Sequence, residues 1–179
     1  MSERRPAPQT HSEQSSTVSE GAAETMAAAR NERRPAPQTR SEQSDTVSDR
    51  PAVLDTSVLI ARETGRSVDI ERLPDQTTIT VVTVAELHAG VLAAADTATR
   101  ARRLATVDAI SAVEALPITV EAARRWAELR VRLAEEGRRA KINDLWIAAV
   151  ASANDMDVVT QDDDFDVIAE VGGPTVIKV

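Results

Sequence analysis

The chain has 179 residues, 42% of them apolar, enough for one well-cored domain and an appendage, but one Phe, two Trp and no Tyr leave its core to Ala, Val, Leu and Ile. A net charge of −8 argues against a general nucleic-acid coat protein, and the absence of Cys excludes disulfides and thiolate metal sites. No apolar run approaches the roughly 20 residues of a membrane helix, and MSERRPAPQT carries no apolar secretion segment, so a cytoplasmic protein is expected.

Residues 3–20, ERRPAPQTHSEQSSTVSE, recur almost unchanged as residues 32–49, ERRPAPQTRSEQSDTVSD. Both copies are rich in Pro, Ser, Thr, Gln and charge, so they bury too little apolar surface to offset their ordering entropy. Residues 1–49 are therefore expected to be a disordered, duplicated segment, with one folded domain over residues 50–179.

From Pro51 the pattern alternates. Ala52–Asp55 reads as a short buried strand, and Ser57–Arg62 as the first helical turns. Val68–Leu73 is amphipathic and stops at Pro74. Thr77–Val82 is a β-branched strand, followed by helices over Thr83–Ala95 and Thr97–Glu114. Leu116–Ile118 is a brief strand, and Val120–Glu136 a helix closed by Gly137. Asp144–Ala153 is a helix apolar on nearly every face, hence buried. Strand Asp157–Thr160, a short helix near Phe165–Ala169 and strand Thr175–Val179 complete the chain. Alternation of this kind implies an α/β fold of three layers: a mostly parallel sheet of about five strands with helices on both faces.

Four acids fall at strand–helix junctions: Asp55 in VLDTSVLI, Glu86 in TVAELHAG, Asp144 in INDLWIAAV and Asp162 in VVTQDDDF. A parallel sheet delivers such junctions to the carboxyl edge of its strands, where open sheets bind ligands. Each acid also has a structural explanation. Asp55 and Asp162 fit helix caps, Glu86 fits the last position of a capping box begun by Thr83, and the dipole of its helix favours Asp144. Caps have no need to be acidic four times over, because Ser, Thr or Asn serve equally without mutual repulsion. Together the four read as oxygen ligands for a hard cation, Mg²⁺ or Mn²⁺, suited to bridging phosphate.

Ser57 and Thr160 either support that site or merely end their elements, and Asn143 either positions Asp144 or caps its helix. His88 reads as a surface residue, and Trp126 and Trp146 as core. The basic groups Arg100, Arg102 and Arg103, and Arg124 to Lys141, read as solvated faces paired with nearby Glu.

VLDTSVLIA, VVTVAELHAGV, INDLWIAAVA and VVTQDDDFD resemble, in order and spacing, the four acidic motifs of PIN-domain ribonucleases, and more narrowly of VapC-type toxins of bacterial toxin–antitoxin pairs. The resemblance runs from about Val53 to the C-terminus; residues 1–49 depart from it. It implies a PIN-like fold and a Mg²⁺- or Mn²⁺-dependent endoribonuclease acting on structured RNA such as tRNA or ribosomal RNA. It also implies a cognate antitoxin that blocks the site, and a homodimer. Carried onto this chain, it makes Asp55 and Asp144 the principal metal ligands. Glu86 completes the site toward the attacking water, and Asp162 is the fourth acid, a role Asp164 could share. Two other readings compete. A haloacid-dehalogenase-like phosphohydrolase wants a second Asp where this chain has Ser57. A non-catalytic binding module of the same fold would tolerate the loss of an acid, and none is missing.

Overall fold

The computed structural model describes residues 49–179. The expectation of disorder for residues 1–49 lies, Asp49 aside, outside the described residues. The elements are β1 (Ala52–Leu54), α1 (Thr56–Leu59), β2 (Thr77–Thr78), α2 (Val81–Leu92), α3 (Thr97–Ala109), α4 (Val120–Glu135), α5 (Ile142–Ala153), β3 (Asp157–Thr160), α6 (Asp166–Glu170) and β4 (Val176–Lys178). The strands form one parallel sheet in the order β2-β1-β3-β4. Arg50 anchors its beginning, donating to the Asp155 carbonyl at 2.7 Å and pairing with the buried Asp157 at 3.5 Å.

Side chains alternate across the sheet with the period of 2 that strands impose. Val53 and Val158 enter one core with Leu129, Leu133, Leu145, Ile147, Phe165 and Ile168, from the helices α4, α5 and α6 and the turn before α6. Ala52, Leu54 and Val159 enter the other with Val58 and Ile79, flanked by Leu73, Ile110 and Ile177. This gives the three layers. Helix α5 lies innermost, with Ile147 to Ala151 all fully buried. Each large aliphatic or aromatic side chain so placed contributes roughly 1.5–3 kcal/mol of transfer free energy.

The structure departs from the sequence expectation mainly at strand ends. The β-branched run from Thr77 is cut short because Thr80 caps α2, its hydroxyl accepting from the Thr83 amide at 3.1 Å. The fifth strand, expected at Leu116–Ile118, is reduced to a single parallel bridge between Thr80 and Leu116. Leu116 makes both of its sheet bonds, to Ile79 and Val81, and the ladder stops there because Val81 already begins α2, whose Thr83 amide is taken by the Thr80 cap. Helix α3 ends at Ala109, five residues early, where the Ser111 hydroxyl takes the Asp108 carbonyl at 2.7 Å. No residue of α3 is buried; Val107 is partly covered and Leu104 is exposed. The amphipathic stretch before Pro74 forms only the 3-10 turn Ile70–Arg72. Gly137 stops α4 as expected, with φ at 67°.

Candidate active site

The sheet order fixes where the site lies. The chain leaves β1 for β2 on one side and returns across β1 to β3 on the other, so the winding reverses between β1 and β3. A crevice opens at such a switch point, outside the carboxyl ends of the two strands. Asp55 directly follows β1, and Thr160 is the last residue of β3.

Asp55 is buried and caps α1, as its structural reading has it. Three donors converge on its Oδ2: the Ser57 amide at 3.2 Å, the Ser57 hydroxyl at 2.5 Å and the Thr160 hydroxyl at 2.9 Å. The two hydroxyls are oriented in turn. Ser57 Oγ accepts the Gln161 amide at 3.0 Å, and Thr160 Oγ1 accepts the Asp162 amide at 2.9 Å. Ser57 and Thr160 therefore fix one carboxylate oxygen and leave Oδ1 outside that network.

Glu86 does not fit a capping box. With Thr80 as the cap it stands well inside α2, out of reach of the helix's free amides. Its carboxylate is held across the fold instead, Oε2 by the Thr56 hydroxyl at 2.5 Å and Oε1 by the Asn143 amide at 2.8 Å. Asn143 thus acts on Glu86, not on Asp144, and it does not cap α5, whose cap position is Lys141. Thr56 was not singled out in the sequence; its place directly after Asp55 was the available signal.

Asp144 stands in the first turn of α5 and is buried, with an Oδ2 that accepts no hydrogen bond among the described residues. Its carboxyl is pushed up to about 7, first by burial and then by the negative charge of Asp55, with Glu86 and Asp164 adding and Lys141 opposing. That coupling brings Asp55, Glu86 and Asp144 into one electrostatic neighbourhood.

Asp162 and Asp164 lie at its outer edge and are about half exposed. Asp162 occupies a cap position without making a side-chain cap bond. Its loop is tied down by Lys178, which donates to the Asp162 carbonyl at 2.5 Å and pairs with Asp163 and Asp166. Lys141 pairs with Asp164 and stands 4.0 Å from Asp162.

As the side chains stand, no three acidic or His residues among those described converge to metal-ligating distance. The donor set still fits a hard cation: oxygen ligands only, one of them a buried carboxylate oxygen with no proton donor, in a cluster whose charges repel.

The other sequence-singled residues fall away from this cluster. His88 is exposed. Trp126 and Trp146 stack on each other at 5.0 Å with Arg130 over Trp126, packed against the core. Arg124 and Arg125 pair with Glu121 and Glu128 along α4, a solvated face as expected.

Residues 52–171 match the sequence model of the PIN domain. Ribonuclease VapC5 of Mycobacterium tuberculosis is 54% identical over 127 residues, 71% of this chain and 94% of that protein. Ribonuclease VapC4 of the same organism is 38% identical over 123 residues, 68% of this chain and 94% of that protein. Among solved structures, VapBC-5 of M. tuberculosis, a member of the VapBC family of toxin–antitoxin systems, superposes with a TM-score of 0.64. It has 52% identity, over 72% of this chain and 97% of the matched one. VapBC2 of Rickettsia felis, at 20% identity and a TM-score of 0.60, shares the fold.

Proposed function

This chain belongs to the PIN-domain family, and on that footing we propose that it is a metal-dependent endoribonuclease, the toxin of a toxin–antitoxin pair. The observation that carries the chemistry is the buried Asp144 Oδ2, without a hydrogen-bond partner among the described residues, in the electrostatic neighbourhood of Asp55 and Glu86. The family match leaves the haloacid-dehalogenase reading without support, and the presence of all four acids disfavours a non-catalytic module.

In this reading Asp55 and Asp144 hold a Mg²⁺ or Mn²⁺ ion, with Glu86 and Asp162 or Asp164 completing its surroundings. When bound, such a cation supplies Lewis-acid polarisation of the phosphodiester. Ser57 and Thr160 keep Asp55 in one orientation by donating to Oδ2, so that Oδ1 is presented without a search over rotamers. Thr56 and Asn143 do the same for Glu86 while occupying only one lone pair on each oxygen. Glu86 can therefore accept a hydrogen bond from the attacking water and take its proton as the water's oxygen bonds to phosphorus and the opposite P–O bond to the ribose breaks, the departing oxygen taking a proton from solvent.

The substrate is RNA, with structured tRNA or ribosomal RNA as the proposed target. The partner is a cognate antitoxin that inserts Arg or Lys into the acid cluster, where charge-assisted bonds satisfy the carboxylates. Ile70 in the segment Ser57–Leu73 and Leu92 in the segment Thr83–Ala95 are exposed apolar side chains, and these two segments are proposed to receive its helix. The protein is proposed to act as a homodimer in the cytoplasm. Incubating the purified chain with total RNA tests this: cleavage in Mg²⁺ that stops with chelator is expected, whereas cleavage unaffected by chelator contradicts it.

A further inference from the structure

Lys141 sits where neither capping nor the helix dipole wants it. It holds the N-cap position of α5 without a side-chain cap bond, where Ser, Thr, Asn or Asp would satisfy a free amide. Its positive charge also faces the positive end of the helix. The compensation is acidic: Lys141 pairs with Asp164, lies 4.0 Å from Asp162, and feels the charge of Asp144. The chain has one other lysine, Lys178, which is engaged with the Asp162–Asp166 loop.

We propose that Lys141 is an internal counter-ion of the acid cluster, an ammonium that a divalent cation must displace from Asp164 and Asp162 to complete its site. The proposal rests on the reading of these acids as a cation site and adds to it a competitor built into the chain. An ammonium is a compact, flexible point charge with no fixed fork, so it can neutralise two carboxylates and still leave when a stronger charge arrives. It remains tethered three residues before Asp144, within the field of whatever anion the site receives. Lys141 is thus a positioning residue of the site, acting through the outer acids on the balance between an open and a neutralised cluster.

Calorimetric titration of the full chain with Mn²⁺ tests this. Lys141→Gln removes the competitor and is expected to tighten Mn²⁺ binding by about three- to tenfold, the scale of one charge acting at a half-exposed site. Lys141→Arg, which keeps the charge and adds a fork that grips carboxylates, is expected to bind Mn²⁺ no more tightly than the wild type does. Arg138→Gln removes one charge from the same connection, but at a residue paired with Glu136 and Glu170, and should leave affinity near the wild-type value. Unchanged or weaker binding by Lys141→Gln overturns the proposal, as does equal tightening by Arg138→Gln, which would make the effect one of net charge. A structural role for Lys141 predicts the first of these. If wild type and Lys141→Gln both fail to bind Mn²⁺, the reading of the acids as a cation site falls, and the counter-ion with it.

Discussion

Thr160 and Asp55 join the ends of two adjacent parallel strands: the Thr160 hydroxyl donates to Asp55 Oδ2 at 2.9 Å while accepting the Asp162 amide at the same distance. One hydroxyl therefore sets the orientation of the first acid and the path of the chain toward the fourth.

Thr160→Val keeps the β-branched shape at a fully buried strand end and removes only the hydroxyl. The Asp162 amide and Asp55 Oδ2 each lose a partner, at a cost of about 1–3 kcal/mol in stability. RNA cleavage under conditions where the variant is folded should fall about tenfold or more, because the carboxylate is no longer held. Denaturant melts and cleavage assays separate the two effects. Full activity with reduced stability would make the hydroxyl purely structural.

The raised Asp144 carboxyl predicts a pH dependence for the metal-free protein. Its ordinary value is 3.8 and its folded value about 7, raised by burial and by Asp55, Glu86 and Asp164 against the opposing Lys141. Folding therefore favours the protonated acid. The stability this group contributes is complete below about pH 4, falls as pH rises, and is lost once pH passes about 7. Asp144→Asn cannot ionise, so its stability relative to wild type should rise between those pH values and then level off. Melts at pH 5 and pH 8 in chelator check this; a difference independent of pH would contradict it.

Much of this arrangement was legible in the sequence, because each acid stands where an apolar run meets a helix, and a parallel sheet leaves such junctions one place to go. The resemblance carried by VLDTSVLIA, VVTVAELHAGV, INDLWIAAVA and VVTQDDDFD agrees with the family match over residues 52–171. What was not legible depends on tertiary contact or local competition. Thr80 and Thr83 are both good caps, and the bridge to Leu116, made by an extended Thr80, places the helix start directly after it, which moved Glu86 out of a capping box. Asn143 reaches Glu86 because α2 and α5 are neighbours, a fact with no local sequence signal. The fifth strand likewise depended on its partner, since the start of α2 at Val81 leaves Leu116 only Thr80 to pair with.

The first 48 residues lie outside the matched PIN region, and the anchoring of the domain begins at Arg50, which binds Asp155 and Asp157. We propose that they are dispensable for catalysis. A chain beginning at Asp49 should keep its melting temperature and its RNA cleavage rate within experimental scatter. A large loss of either would assign residues 1–48 a part in the fold or the site.

The central claim is that Asp144 is a metal ligand and not only a first-turn acid favoured by the helix dipole. Asn is nearly isosteric with Asp and suits helix N-termini comparably, so Asp144→Asn should fold. It lacks the charge needed to offset dehydration of a hard divalent ion. The decisive measurement is RNA cleavage by Asp144→Asn in saturating Mn²⁺, alongside its melt. Cleavage reduced by about a hundredfold or more, with a melting temperature equal to or above that of the wild type in chelator, is the predicted result. A well-folded Asp144→Asn protein that cleaves RNA at the wild-type rate would contradict it.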